Sequence, residues 1–153
     1  MSMTTPPPPA HPACGEPGSP YLRLALERQD RDTAARVNRI DERFLRLRQS
    51  RQKGLVVYIG AGDPDLEATR QLALAFDRAG VDVLELGVPF SDPLADGLVN
   101  QLAAQRGLES GTTPPKVLDT VAAIRRESAI PIVLYIYYNL LHRVGVAKFI
   151  DDA

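Results

Sequence analysis

Glu85 is the residue whose type and spacing could do chemistry, and for a carboxylate that chemistry is proton transfer. In Val81-Asp82-Val83-Leu84-Glu85-Leu86 an extended chain sets alternate residues on opposite faces. Val81, Val83 and Glu85 then point one way and Asp82, Leu84 and Leu86 the other. Glu85 thus ends a file that is otherwise apolar. A carboxylate projected from the C-terminal end of a strand, beside hydrophobic walls, is where a β/α-barrel enzyme keeps a general acid or base. The same spacing also suits a strand-end glutamate that faces solvent or pairs with an arginine. The next segment, Pro89-Phe90-Ser91-Asp92-Pro93-Leu94-Ala95-Asp96-Gly97, puts two prolines, a glycine and two acids where regular structure cannot continue.

These residues need elements to position them, and the chain supplies an alternating series. Leu55 to Ile59 is a short apolar run ended by Gly60-Ala61-Gly62, as expected of a strand covered on both sides. Asp63-Pro64-Asp65 opens a helix whose expected buried stripe is Ala68, Leu72, Ala75, Phe76 and Ala79, with Gly80 as its stop. Val81–Leu86 is the next strand and 90–97 a loop. Leu98–Ser110 and Pro114–Glu127 read as helices, Ile130–Ile136 as a third strand, and Gly145 begins a further helix. Strand, helix, strand, helix, strand is the order of a parallel α/β fold with right-handed crossovers.

Three segments precede or make up this body. Residues 1–20 hold seven of the 13 prolines and little that could pack, so they read as a disordered Pro-rich extension. Residues 21–52 read as a helical lead-in, with Val37, Ile40, Phe44 and Leu47 on one face and arginines interspersed with Asp41 and Glu42 on a solvated one. Residues 53–153 are the β/α body. At 153 residues the chain falls well short of the ~250 of a complete β/α barrel, and only about three of eight strands fit.

Composition excludes several partners. A formal charge of -1, from 18 basic and 19 acidic residues, sets up no field that would gather nucleic acid or an anionic membrane. No apolar run approaches the ~20 residues that span a bilayer, and the N-terminus lacks the basic-then-apolar order of a secretory signal, so the reading is a cytoplasmic protein. The single cysteine, Cys14, has no intrachain partner and reads as a free thiol.

The stretch Leu84-Glu85-Leu86-Gly87-Val88-Pro89-Phe90-Ser91-Asp92-Pro93-Leu94-Ala95-Asp96-Gly97 closely resembles the signature of the tryptophan synthase alpha chain family. Gly62-Asp63-Pro64, Gln101 and Tyr137-Tyr138-Asn139 support the resemblance, which runs in register from about Arg39 to Ala153. It implies a β/α (TIM) barrel, incomplete here. It further implies a carbon–carbon lyase that cleaves indole-3-glycerol phosphate to indole and glyceraldehyde 3-phosphate in L-tryptophan biosynthesis. That reaction needs a proton delivered to the indole carbon, a proton removed from the neighbouring hydroxyl, and stabilisation of charge developing at the indole nitrogen. By motif position Glu85 would be the acid and base, and Asp96 would accept the indole N–H. Tyr58 and Tyr137 stand where the family places aromatic groups around the indole, a place equally suited to core or rim aromatics. Pro89 and Asp92 lie where the family's loop meets the beta subunit of an alpha2-beta2 assembly. The resemblance implies no cofactor or metal in this chain, since pyridoxal phosphate belongs to the beta subunit. Asp63 reads as a loop-organising residue.

Two residues depart from the family pattern. Leu98 stands where proline is usual after Asp96-Gly97, and Gly60 where threonine or serine is usual before Ala61-Gly62. The family's remaining strands, its mobile lid and its phosphate-binding amides have no counterpart up to Ala153, so the expectation is a fragment of a longer protein whose activity alone is doubtful. The competing expectation is a catalytically silent half-barrel that only docks on a beta-type partner.

Overall fold

The computed structural model of the chain describes residues 38–153. The expectations for residues 1–20, and for 21–37 of the lead-in segment, including Val37, lie outside the described residues.

Helix α1 spans Arg39–Ser50, with Asp41 and Glu42 in its first turn and Arg48 in its last, each favourable to the helix dipole. It ends as Arg51 takes a left-handed conformation (φ 57), with Gln52 N–H donating to the Leu47 carbonyl (2.9 Å). Of the expected stripe, Ile40 and Leu47 are half-buried while Phe44 remains 45 % exposed. Leu47 and Phe44 lie against Gly54, where an added Cβ would come within 2.8 Å of Leu47 Cδ1. Arg43, expected on the solvated face, instead reaches Asp82, with Nε 2.8 Å from Oδ1. The N–H is not aimed at that oxygen, so the contact is ionic rather than a hydrogen bond.

Strands β1 (Val56–Gly60), β2 (Val83–Gly87) and β3 (Ile132–Tyr135) form one parallel sheet in the order β1-β2-β3. Its register sets Tyr58 beside Glu85, Glu85 beside Val133, and Gly87 between Gly60 and Tyr135. Helix α2 (Leu66–Ala79) follows β1. The Asp65 side chain accepts the Ala68 N–H (2.7 Å) at its start, and Gly80 closes it at φ 86. Pro64 lies just before this cap rather than inside the helix. Helices α3 (Leu98–Glu109) and α4 (Pro114–Arg125) separate β2 from β3, with prolines at the first positions of α4. Helices α5 (Tyr138–Val144) and α6 (Val146–Asp152) follow, divided at Gly145 (φ 94). The sequence signalled α6 but not α5.

The sheet packs one face on helices. Leu84 joins Ala73, Leu74, Val81, Ile124 and Ile130, while Leu86 joins Ala61, Val88 and Val117. The opposite face carries Val56, Tyr58, Val133 and Tyr135, all exposed, with α3 approaching only at the Gly60 end. The expectation that β1 is covered on both sides is therefore corrected, because among the described residues the helices that bury the strands do so from one side. The expected α2 stripe is corrected too: Thr69, Ala73 and Leu74 are buried and Leu72 is exposed. Thr69 goes inside because its hydroxyl is satisfied twice, donating to the Asp65 carbonyl and accepting the Gly62 N–H, both at 2.9 Å. Val81 precedes β2 and packs with Leu84, not with Val83 as alternation implied. Its N–H closes α2 on the Phe76 carbonyl, and strand geometry begins only beyond Asp82.

Candidate active site

The C-terminal ends of β1 and β2, and the segments leaving β2 and β3, bring the candidate residues together. Gly87 makes the first contact possible: a Cβ there would fall 2.3 Å from the Tyr58 hydroxyl, so only glycine lets the ring from β1 lie across β2. Tyr58 then meets Tyr135 edge-on (6.2 Å, 83°), Tyr135 meets Tyr137 edge-on (6.3 Å, 72°), and Tyr137 stacks at a tilt on Phe90 (4.9 Å, 32°). The Tyr137 hydroxyl donates to Asp96 Oδ2 (3.0 Å).

Asp96 is held from both sides along the chain. Its N–H donates to the Pro93 carbonyl (3.0 Å), and its own carbonyl accepts from Gln101 Nε2 (2.9 Å). Helix α3 is fastened in turn to the loop after β1. Arg106 grips Asp63 with two hydrogen bonds of 2.8 Å, and the Ser110 hydroxyl donates to the Gly62 carbonyl (3.1 Å). At Gly107 an added Cβ would come within 2.7 Å of the Ala61 carbonyl, so the helix can approach only there. The Arg106 hydrogen bonds hold the Asp63 carboxyl below the usual carboxylate range. Asp63 therefore fixes loop to helix, as its sequence setting suggested.

Glu85 is half-buried on the open face beside Tyr58 and forms no ion pair or hydrogen bond among the described residues. Of the alternatives left open by the strand pattern, pairing with an arginine is not what is found. Burial, then the carboxylate of Asp96 and further neighbours including Glu85, push the Tyr58 phenol up. Burial and donation to Asp96 do the same to Tyr137. Both phenols thus stay protonated near neutral pH and are not bases. With Tyr137 on one Asp96 oxygen, the other has no described partner and can accept an N–H from a ligand.

Pro89 is buried, against the position of Gly107, so it supports the loop from beneath and offers no surface. Asp92 is exposed and accepts the Ser91 hydroxyl (2.6 Å). Beyond it Leu94 is 92 % exposed, and Leu98, at one of the two departures from the family pattern, is also exposed. The other departure, Gly60, faces Ala103 of α3 at ordinary contact distance. Sequence reasoning missed Tyr135, Phe90, Gly87 and Asn100, which line the same narrow pocket as Tyr58, Asp96 and Tyr137. Tyr135 and Tyr137 differ by two positions, which is the signal that could have found the former. Among the described residues no group of His, Cys, Asp and Glu could hold a metal ion.

A parallel three-stranded sheet with helical crossovers, and with Asp96 and aromatic rings gathered at the C-terminal ends of its strands, is the architecture of part of a β/α barrel. Residues 44–153 match the family described as tryptophan synthase alpha chain, and the chain belongs to that family. It is 50 % identical over 117 residues to the tryptophan synthase alpha chain of Geotalea daltonii, covering 76 % of this chain and 44 % of that one. The corresponding protein of Caldanaerobacter subterraneus is 45 % identical over 117 residues, with 76 % and 45 % covered. Among solved structures, the alpha subunit from Legionella pneumophila superimposes with a TM-score of 0.75 at 38 % identity, covering 76 % of this chain and 45 % of that one. Tryptophan synthase from M. tuberculosis in its aminoacrylate-bound form gives a TM-score of 0.71 at 31 % identity, covering 76 % and 47 %. The chain thus spans less than half the length of the relatives it matches.

Proposed function

We propose that this chain supplies the proton-transfer half of an indole-3-glycerol phosphate lyase, releasing indole and glyceraldehyde 3-phosphate in tryptophan biosynthesis. The observation that supports the reading is that an uncommitted Glu85, beside Tyr58 on the open face of β2, and Asp96, with one oxygen held by Tyr137 and the other available, both act on the Tyr58 ring position. Glu85 delivers a proton to the indole carbon and removes one from the adjacent hydroxyl. The carbon–carbon bond breaks as that hydroxyl carbon becomes the aldehyde and the bonding pair returns to the ring. Asp96 accepts the indole N–H and stabilises the positive charge that develops there, a preorganised charge contact of the kind that dominates many rate enhancements. Tyr58 and Tyr135 form the wall against which the ring lies. The reading calls for no metal or organic cofactor in this chain.

In the same reading the exposed Asp92 contacts a beta subunit that carries pyridoxal phosphate, in an alpha2-beta2 assembly in the cytoplasm, with Pro89 setting the loop's path. Among the described residues no helix is long and apolar enough to cross a membrane. The test is indole release from indole-3-glycerol phosphate by the natural-length protein and its Asp96→Asn variant. Loss of turnover with the fold intact supports the role of Asp96, and unaltered turnover removes it. If Glu85→Gln leaves activation of a beta-type partner untouched and no indole is released by either form, the chain is a docking protein and the lyase reading fails.

A further inference from the structure

The opposite end of the sheet carries a second set of groups that the reaction does not use. Helix α4 ends at Arg125 and Arg126, just before the chain turns into β3, and α1 begins at Arg39. These three arginines line one cleft of about 530 Å3. None has a carboxylate partner among the described residues, whereas the acids around them are nearly all taken. Glu127 is held by Arg70 (2.7 Å), Asp152 by Lys148, Glu42 by Arg46 (3.4 Å) and Asp82 by Arg43 (2.8 Å). Asp77 accepts the Ser128 hydroxyl (2.6 Å), and Glu127 and Asp152, though held by other cations, line the same cleft.

Arg125 is the fixed point. One of its terminal nitrogens, Nη1, donates to the carbonyls of Ser128 and Ile130, which leaves Nε and Nη2 without a protein acceptor among the described residues. Burial, and then the charge of Arg39, push the Arg125 guanidinium below its usual value, with Asp77 offsetting this in part. The partial charge of about half a unit at the C-terminus of α4 is countered by the opposite one at the N-terminus of α1. Neither cancels three unneutralised guanidinium groups. All the basic residues lining this cleft are arginine, whose planar fork matches the oxygens of a phosphate two at a time.

We propose that this cleft binds a phosphate group, as the free ion or as the monoester of a small metabolite, between Arg39, Arg125 and Arg126. The site lies at the N-terminal end of the strands, away from Glu85 and Asp96, and does not depend on the lyase reading. A bound dianion relieves the repulsion between Arg39 and Arg125 and occupies the donors that Arg125 leaves open.

The test is calorimetric titration of the full chain with inorganic phosphate and, separately, with ribose 5-phosphate, at constant ionic strength. Binding of inorganic phosphate assigns the site to the free ion, and binding of the ester alone assigns it to a phosphorylated metabolite. Arg39→Gln and Arg126→Gln are each expected to weaken the bound ligand roughly tenfold, as befits a charge-assisted hydrogen bond. Arg78→Gln, on an exposed α2 residue outside the cleft, is expected to change nothing. The proposal is overturned if neither ligand binds, if binding survives loss of both Arg39 and Arg126, or if Arg78→Gln weakens it equally.

Discussion

The two faces of the sheet are built from the same strands yet answer to different demands. On the helix side Leu84 and Leu86 are fully buried within apolar clusters, so their role is packing. On the open side, one residue away along the same strand, Glu85 lies between Tyr58 and Val133 with no protein partner among the described residues. Strand alternation separates a position that stabilises from one that the proposed reaction uses by a single step along the chain. Stability and activity should therefore come apart between neighbouring residues.

The largest effect expected from this comparison is on stability. Leu84→Ala removes a side chain with no exposed surface and should cost about 2–5 kcal/mol, read from denaturant unfolding. Glu85→Gln, its neighbour, should stay within about 0.5 kcal/mol of the parent by the same measurement. If the two costs are alike, the faces are not distinct in the way described.

Gly87→Ala sharpens the comparison by putting a methyl group on the open face. That methyl would sit 2.3 Å from the Tyr58 hydroxyl, so the ring must move, at a cost of about 1–3 kcal/mol. Tyrosine near-ultraviolet circular dichroism should report the displacement, and an unchanged spectrum would mean that Tyr58 does not rest on Gly87.

A smaller effect follows from pH. The Asp63 carboxyl, held below its ordinary range by Arg106, contributes stability that is present above the unfolded carboxylate pKa and is lost as pH falls through the lower folded value. Both partners reach solvent, so the contribution is modest. Asp63→Asn should flatten the acid limb of the stability curve slightly, and an unchanged limb would show that the contact is not maintained in solution.

The smallest change lies outside both faces. Arg51 holds φ 57 at the end of α1, a conformation that penalises a Cβ, so Arg51→Gly should raise stability by about 0.5–1 kcal/mol.

The parts of this structure legible in the sequence were those that local chemistry dictates. Asp65 and Gly80 mark the ends of α2 because a carboxylate can cap free N–H groups and glycine can adopt positive φ. The short apolar runs mark β1 to β3, because branched and aromatic apolar residues suit a strand with a buried face. Helix α5 escaped because Tyr138–Val144 is too short to show a period. The burial of Thr69 and the pairing of Arg43 with Asp82 escaped because each depends on a partner distant in the sequence or on the backbone's path. At the candidate site the sequence points to Glu85, Asp96, Tyr58 and Tyr137, while Tyr135 and Gly87 need the strand register to place them beside Tyr58.

The most direct test of the central claim, that Glu85 on the open face carries the proton transfers, is the rate of indole formation from indole-3-glycerol phosphate by the natural-length protein. Glu85→Gln should lower it by about 10²–10⁴-fold while leaving the unfolding midpoint unchanged. Full turnover in the variant would contradict the assignment and leave the open face without the chemistry ascribed to it.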